Sequence, residues 1–150
     1  MFRSLSFGIA MIVLLVSGGV QAEDKKSHVS AMMEKAVQHY KSAGEEQAFS
    51  DFSKKGSEYF NGEYYVIAQS LEDDKITFHP VNAKLVGKNL TKVKDTDGVA
   101  FVGEMSAIAK GAGNGWVSYK WPHPETKKIA QKHTLVNRVG DIMLMIGYYE

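Results

Sequence analysis

The sequence predicts an α+β fold in which helices come first and an antiparallel sheet follows. Three observations support this prediction. An early segment has the spacing of an amphipathic helix, later segments are rich in β-branched and aromatic residues, and several of the turns between those segments are short. Short turns join neighbouring strands in antiparallel order, and the helices do not alternate with the strands. We therefore expect one domain with a single five-stranded antiparallel sheet.

Helical patterns occur in three places. Between residues 29 and 40 apolar residues recur every three or four positions, which predicts a long amphipathic helix that ends at Gly44. Residues 45–52 show a shorter helical pattern with acidic residues in the first turn, where the helix dipole favours them. A third helix, with Asp97 as its N-cap, is predicted to end near Gly111.

The predicted strands are runs of β-branched and aromatic residues. The first two, at 64–68 and 75–78, are separated by a short polar stretch and form a hairpin. The other three lie at 116–121, 129–136 and 142–149. The last two are joined by a tight turn, so we expect them to be neighbours in the sheet.

The strand at 116–121 gives the strongest indication of a binding site. Alternation places Tyr119 and Trp121 on one face and Trp116 on the other, and because both faces are largely apolar we expect both to be covered. Tyr and Trp are rigid apolar walls that each provide one hydrogen-bond donor, as in small pockets for polar ligands. Lys132, on the adjacent strand, can supply a cation for an anionic ligand. The alternatives are that the aromatic residues are ordinary core and that Lys132 is an exposed strand lysine.

Composition excludes several classes of function. The chain has 18 Lys plus Arg and 17 Asp plus Glu, so no basic surplus is present for nucleic-acid binding. It has no cysteine, which excludes thiolate catalysis, cysteine zinc sites and disulfides. The five histidines lack metal-ligand spacing, and the glycine run at 111–115 follows a helix instead of preceding one, the reverse of a dinucleotide-binding loop. We expect no metal and no cofactor.

Residues 1–22 have the pattern of a secretory signal peptide. Arg3 gives a positive start, residues 5–16 form an apolar run, and Val20-Gln21-Ala22 offers small residues at a cleavage position. The run is shorter than the roughly 20 apolar residues of a membrane span. We therefore expect cleavage after Ala22, a mature domain of residues 23–150 without a membrane span, and a periplasmic or secreted location.

Three segments and Lys132 resemble a known family, the single Cache domain of the second type. The segments are HPVNAKLVGKNL at 79–90, DGVAF at 97–101 and GWVSYKWPHP at 115–124. The resemblance implies a PAS-like antiparallel sheet with a long N-terminal helix. It also implies an extracytoplasmic sensor domain, as in chemotaxis receptors and histidine kinases, with small organic acids as the main ligands.

The resemblance further implies a set of ligand-binding residues and no catalytic residue. The implied ligand-binding residues are His79, Asn82, Trp116, Tyr119, Trp121, Lys132 and Tyr148. The family usually has Asn where this chain has His123, and its final strand usually carries a tryptophan and a further glycine, whereas this chain reads MLMIGYY at 143–149.

We expect a binding or sensory module and not an enzyme. It would capture a small carboxylate and present the loaded state to a membrane partner such as a receptor, a histidine kinase or a transporter. One alternative is a structural or interaction protein with a vestigial pocket. Another is a periplasmic enzyme in which His79 and Tyr119 act as acid and base. Ligand-dependent stabilisation without turnover would distinguish the first function from the other two.

Overall fold

Residues 18–150 are described by the computed structural model, and within them the chain forms three α-helices and six β-strands. The helices are α1 (Gly18–Ala43), α2 (Glu45–Phe52) and α3 (Phe101–Lys110). The strands are β1 (Phe60–Asn61), β2 (Tyr64–Ser70), β3 (Ile76–Phe78), β4 (Asn114–Pro122), β5 (Ile129–Val139) and β6 (Ile142–Tyr149). The predicted α+β plan is confirmed, and β1 adds a two-residue strand to the five predicted ones.

The predicted signal peptide is only partly covered by the described residues. Residues 1–17, which include its charged start and its apolar run, lie outside them, and residues 18–22 form the start of α1. Among the helices of residues 18–150, none combines the length and the apolar character needed to cross a membrane.

All strand pairs are antiparallel, in the order β1-β2-β6-β5-β4, with β3 also paired to β2. Every residue of the central strand β6 is buried. Because both of its faces are covered, its sequence is a continuous apolar run and not an alternating one.

The two faces of the sheet bury two separate apolar clusters. α1 and α2 cover one face, and Leu144 and Ile146 of β6 point into that cluster. α3 covers the other face, where Met143 and Met145 of β6 belong to the cluster. Successive strand residues alternate between the two faces of the sheet. In β6, even-numbered side chains therefore face α1 and α2, and odd-numbered side chains face α3.

Two local predictions are wrong. Ala100 is the N-cap of α3 and makes no side-chain capping bond, whereas Asp97 pairs with Lys120 at 3.0 Å. The physical reason is that Asp95 accepts the backbone N–H groups of Asp97 and Val99, both at 2.9 Å, and this turn delays the helix. The second face of β4 is also not fully covered, because β4 is an outer strand and leaves Ser118 exposed.

Candidate functional site

A small cavity lies between the sheet and α3. Its volume is about 40 Å³, and most of its lining is apolar. The polar groups on its surface belong to His79, Tyr119, Trp121 and Lys132. These four residues were all predicted as ligand-binding, and they come from three separate parts of the chain.

Strand register brings the polar groups to one level of the sheet. Tyr119 of β4 lies opposite Lys132 of β5, and Lys132 lies opposite Tyr149 of β6. Residues directly opposite each other in an antiparallel pair share a face. The three side chains therefore form a row across three strands on the α3 side of the sheet.

Lys132 is the buried cation of this site. Its residue is 2 % exposed, and its Nζ donates a hydrogen bond to Tyr65 Oη at 3.0 Å. The same Nζ lies 4.7 Å from the centre of the Tyr65 ring and 5.0 Å from that of Tyr149. An ammonium group has three donors. Within residues 18–150 no carboxylate lies within ion-pair distance of Lys132, so the ammonium contacts a hydroxyl and aromatic faces.

The charge state of Lys132 reflects two opposing effects. Burial lowers the pKa of Lys132, whereas negative charge on the Tyr119, Tyr65 and Tyr149 oxygens and the hydrogen bond to Tyr65 raise it more, so this pKa lies above its ordinary value. The group is therefore a cation at neutral pH, on the surface of the small cavity.

Gly147 makes room for the Lys132 side chain. A Cβ atom at position 147 would lie 2.6 Å from Lys132 Cε, 2.6 Å from Thr134 Oγ1 and 2.9 Å from the His133 backbone oxygen. Real Cβ atoms do not approach other heavy atoms this closely. The glycine on β6 is therefore required for the observed path of the lysine.

His79 follows β3 and presents a neutral ring. Its Nδ1 accepts the backbone N–H groups of Val81 at 3.3 Å and Asn82 at 3.1 Å, so we assign the ring proton to Nε2, which is a donor. Burial, together with the charge of Lys132, lowers the pKa of His79 to about 4. At neutral pH the ring therefore supplies one N–H donor without a charge.

The aromatic wall of the cavity is tightly packed. The Phe101 ring stacks on the Tyr119 ring with centres 4.2 Å apart, and the Trp121 ring lies 5.1 Å from Phe101. Tyr119 Oη and Thr134 Oγ1 are 3.1 Å apart and share a hydrogen bond. Burial raises the pKa of Tyr119, so its phenol stays protonated and can act as a donor.

The other three predicted residues lie outside this cavity. Asn82 borders an adjacent cleft, and its Oδ1 accepts the Lys84 backbone N–H at 3.2 Å. Trp116 and Tyr148 lie on the opposite face of the sheet, where their ring centres are 5.9 Å apart and they contact the α1 cluster. The structure does not bring these two side chains together with Lys132, because their strand parity directs them to α1.

Sequence reasoning missed Tyr65, Tyr149 and Gly147. A signal for Tyr149 was available in the turn, because Val139 pairs with Ile142 and counting outward from that pair places Lys132 opposite Tyr149. No comparable local signal exists for Tyr65, since it is 67 positions from Lys132 in the chain.

Sequence reasoning also missed a hydrogen-bonded chain on the α1 side of the sheet. Ser118 Oγ lies 2.7 Å from His133 Nδ1, and His133 Nε2 lies 2.8 Å from Glu150 Oε1. In many hydrolytic enzymes a serine nucleophile is activated by a histidine base that a carboxylate orients, and the hydrogen bonds here follow the same order. However, Ser118 is exposed and lines none of the cavities found in the described residues. We therefore assign this chain of bonds no catalytic role.

Residues 18–150 thus form an α+β domain with a six-stranded antiparallel sheet and a small cavity between that sheet and α3. A family model described as a Cache domain matches residues 21–150. The chain therefore belongs to the Cache domain family, in agreement with the resemblance noted in its sequence.

Solved structures share this fold. A methyl-accepting chemotaxis protein from Vibrio parahaemolyticus is 22% identical, with a TM-score of 0.73 over 87% of this chain and 92% of that chain. A periplasmic sensor domain of a chemotaxis protein is 22% identical, with a TM-score of 0.70 over 86% of this chain and 96% of that chain. A Cache chemosensory domain described by its carboxylic acid recognition is 25% identical, with a TM-score of 0.65 over 87% and 94% of the two chains.

One curated relative is the methyl-accepting chemotaxis protein McpP from Pseudomonas putida. It is 36% identical over 62 residues, which cover 41% of this chain. The matched segment spans only 11% of the length of that protein.

Proposed function

We propose that this chain is an extracytoplasmic sensory domain that binds a small organic acid through Lys132. The observation that carries the proposal is a fully buried ammonium beside a small cavity, with no carboxylate partner in the described part of the chain. A buried charge is costly unless it is paired and hydrogen-bonded. A carboxylate in the cavity would supply the missing pair.

The donors around the cavity match such a ligand. Lys132 Nζ provides charge-assisted hydrogen bonds, and the His79 Nε2–H and the Tyr119 hydroxyl provide neutral ones. The apolar lining formed by α3 and the sheet would contact the carbon chain of the acid. This combination of one cation, a few donors and apolar walls favours a short monocarboxylate over a neutral or cationic molecule.

The proposed function includes a partner and a location. The solved neighbours are a methyl-accepting chemotaxis protein, a periplasmic sensor domain of a chemotaxis protein and a Cache chemosensory domain described by carboxylic acid recognition. By analogy, we infer a periplasmic location and transfer of the loaded state to a membrane receptor, histidine kinase or transporter. The role proposed is binding and not catalysis.

A thermal-shift screen tests the ligand class. Acetate, propionate, pyruvate and lactate are compared with acetamide and propionamide, which match the first two acids in size but have no charge. At one hundred times Kd, a ligand stabilises the native state by about 2.7 kcal/mol, which raises Tm by several degrees in a domain of this size. We expect a shift with at least one acid and with neither amide. The absence of a shift with any acid, or equal shifts with the amides, would contradict the proposal.

A further inference from the structure

Three neighbouring cavities near Lys132 have lining residues in common. The inner cavity of about 40 Å³ and an adjacent cleft of about 210 Å³ share three lining residues, His79, Leu85 and Trp121. The cleft in turn shares Val81, Pro124 and Lys127 with another cavity of about 320 Å³. The inner cavity, which Lys132 lines, therefore adjoins the cleft at the three residues that the two have in common, and we call these residues the boundary.

The inner cavity is small for an organic acid. One water molecule occupies about 10 to 15 Å³ of cavity volume, so a cavity of about 40 Å³ has room for roughly three waters. This space suits a group with about the bulk of acetate. A longer acid whose carboxylate reached Lys132 would have to extend its tail across the boundary into the cleft.

Of the three boundary residues, Leu85 is the one that can most readily change the opening. The His79 ring is fixed by two backbone N–H donors, and Trp121 packs on Phe101. Leu85 is only half-buried, and it ends the short 3-10 turn Ala83–Leu85. Its side chain adds purely aliphatic bulk to the boundary.

The turn that holds Leu85 is anchored on both sides. The Leu85 N–H donates to the Asn82 carbonyl at 3.1 Å, and the Gly87 N–H donates to the Ile76 carbonyl of β3 at 2.7 Å. The neighbouring Val86 is 44 % exposed and lines none of the cavities found in residues 18–150. The backbone position of Leu85 is thus set by the turn, while its side chain is free of polar contacts.

We propose that Leu85 sets the longest carbon chain that the site accepts, and that the cleft behind it is the access route of the ligand. This inference rests on the proposed function, because it takes a carboxylate at Lys132 as its fixed point. The expected ligands of the native chain are straight-chain monocarboxylates whose tail ends before Leu85. Discrimination against one extra methylene in an apolar pocket is about 10-fold to 200-fold.

The test measures Kd by calorimetry for acetate, propionate, butyrate, pentanoate and hexanoate. The purified wild-type chain is compared with Leu85→Ala and with Val86→Ala, which removes an aliphatic side chain from the same loop but not from the boundary. In Leu85→Ala we expect the pentanoate-to-acetate ratio of Kd to fall by about tenfold or more. In Val86→Ala we expect the wild-type ratio. Leu85→Phe should shift the limit to shorter acids, and circular dichroism confirms that each variant is folded.

The outcomes separate the two proposals. If the wild type binds short acids and the folded Leu85→Ala and Leu85→Phe variants keep its chain-length ratios, the role of Leu85 is wrong and the proposed function stands. If Leu85→Ala does not fold, the test rests on Leu85→Phe. A folded Leu85→Phe variant with the same Kd ratios between long and short acids as the wild type would then overturn the role of Leu85. If the wild type binds none of the acids, both proposals fail.

Discussion

Lys132 and Tyr149 lie directly opposite each other on β5 and β6, with Lys132 Nζ 5.0 Å from the centre of the Tyr149 ring. The backbone of Tyr149 is held by other elements. Its N–H donates to Glu63 Oε1 at 3.1 Å, and its carbonyl accepts a hydrogen bond from Lys25 Nζ of α1 at 2.5 Å. Its hydroxyl donates to the Pro122 carbonyl at the end of β4 at 3.1 Å. One residue therefore joins the cation of the cavity to α1 and to the outer strand.

Lys132→Met should abolish acid-dependent stabilisation. Methionine has a similar length but no charge, so it keeps the bulk of the side chain and removes the cation together with its hydrogen bond to Tyr65, which contributes about 1.5 to 3 kcal/mol. We expect the variant to fold with a Tm that is lower by several degrees without ligand, and the acid-induced shift to disappear. Lys128→Met, which removes an exposed lysine just before β5, is the control and should keep the full shift. A full shift in Lys132→Met would place the carboxylate elsewhere.

Tyr65→Phe should weaken binding without abolishing it. The Tyr65 hydroxyl accepts the hydrogen bond that fixes Lys132 Nζ, and hydrogen bonds to charged groups contribute about 1.5 to 3 kcal/mol. We expect the acid Kd, measured by calorimetry, to rise about tenfold. The neighbouring Tyr64 packs against the α1 cluster, so Tyr64→Phe serves as the control. Equal effects of the two substitutions on Kd would show that Tyr65 has no specific role in positioning Lys132.

Gly147→Ala should destabilise the fold and disturb the site together. Its Cβ would meet Thr134 Oγ1, Lys132 Cε and a backbone oxygen at under 3.0 Å, and such overpacking costs about 1 to 3 kcal/mol. Gly115→Ala is the matched strand control, because its Cβ would meet the side chain of Ile108 at 3.0 Å, which can move. Chemical denaturation should show the larger loss of unfolding free energy for Gly147→Ala. A loss equal to or smaller than that of Gly115→Ala would contradict the packing argument.

His79 predicts a specific pH dependence of stability. The pKa of its ring is lowered from the ordinary value of 6.5 to about 4. As the pH falls, the unfolded chain therefore binds a proton at His79 at a higher pH than the folded chain does. The contribution of neutral His79 to the free energy of unfolding is complete above pH 6.5. It is lost as the pH falls toward 4, and the loss is up to about 3 kcal/mol.

His79→Asn provides the comparison for this pH dependence. Asparagine cannot titrate, but its side-chain oxygen can accept the same backbone N–H groups. Urea denaturation at several pH values should show a wild-type free energy of unfolding that falls more steeply between pH 6.5 and 4 than that of His79→Asn. Parallel curves would show that His79 does not titrate in this window.

Export of the chain gives a prediction at the N-terminus. Because Val20-Gln21-Ala22 follows an apolar run, we expect protein isolated from its native compartment to have the intact mass of a chain that starts at Glu23. Recovery of the full-length chain from the membrane fraction would contradict cleavage.

Features set by short-range pattern were predictable from the sequence, and features set by long-range contact were not. The spacing from Val29 to Tyr40 predicts α1, and the β-branched runs predict the strands, because both patterns are local. The Asp97 cap failed because the nearby Asp95 competes for the same backbone groups. Tyr65 could not be found, since its contact with Lys132 depends on how β2, β6 and β5 assemble.

Tyr148 and Tyr149 of β6 illustrate that moving by one residue along a strand changes the face on which a side chain lies. Four of the predicted residues line the cavity: His79, Tyr119, Trp121 and Lys132. Tyr148 instead faces α1, and its neighbour Tyr149 faces Lys132. The resemblance points to Tyr148, next to Tyr149 on β6, but assigning a β6 side chain to one face of the sheet needs the strand register.

The close approach of Gly147 to the Lys132 side chain has a consequence for how this site can change during evolution. The two positions share one fixed volume, so a side chain can grow at 147 only if the residue at 132 becomes shorter or takes another path. We expect positions 132 and 147 to vary together among Cache domains. A lineage that replaces the lysine releases the constraint on the glycine, and reacquiring the lysine would then require the glycine to be restored first.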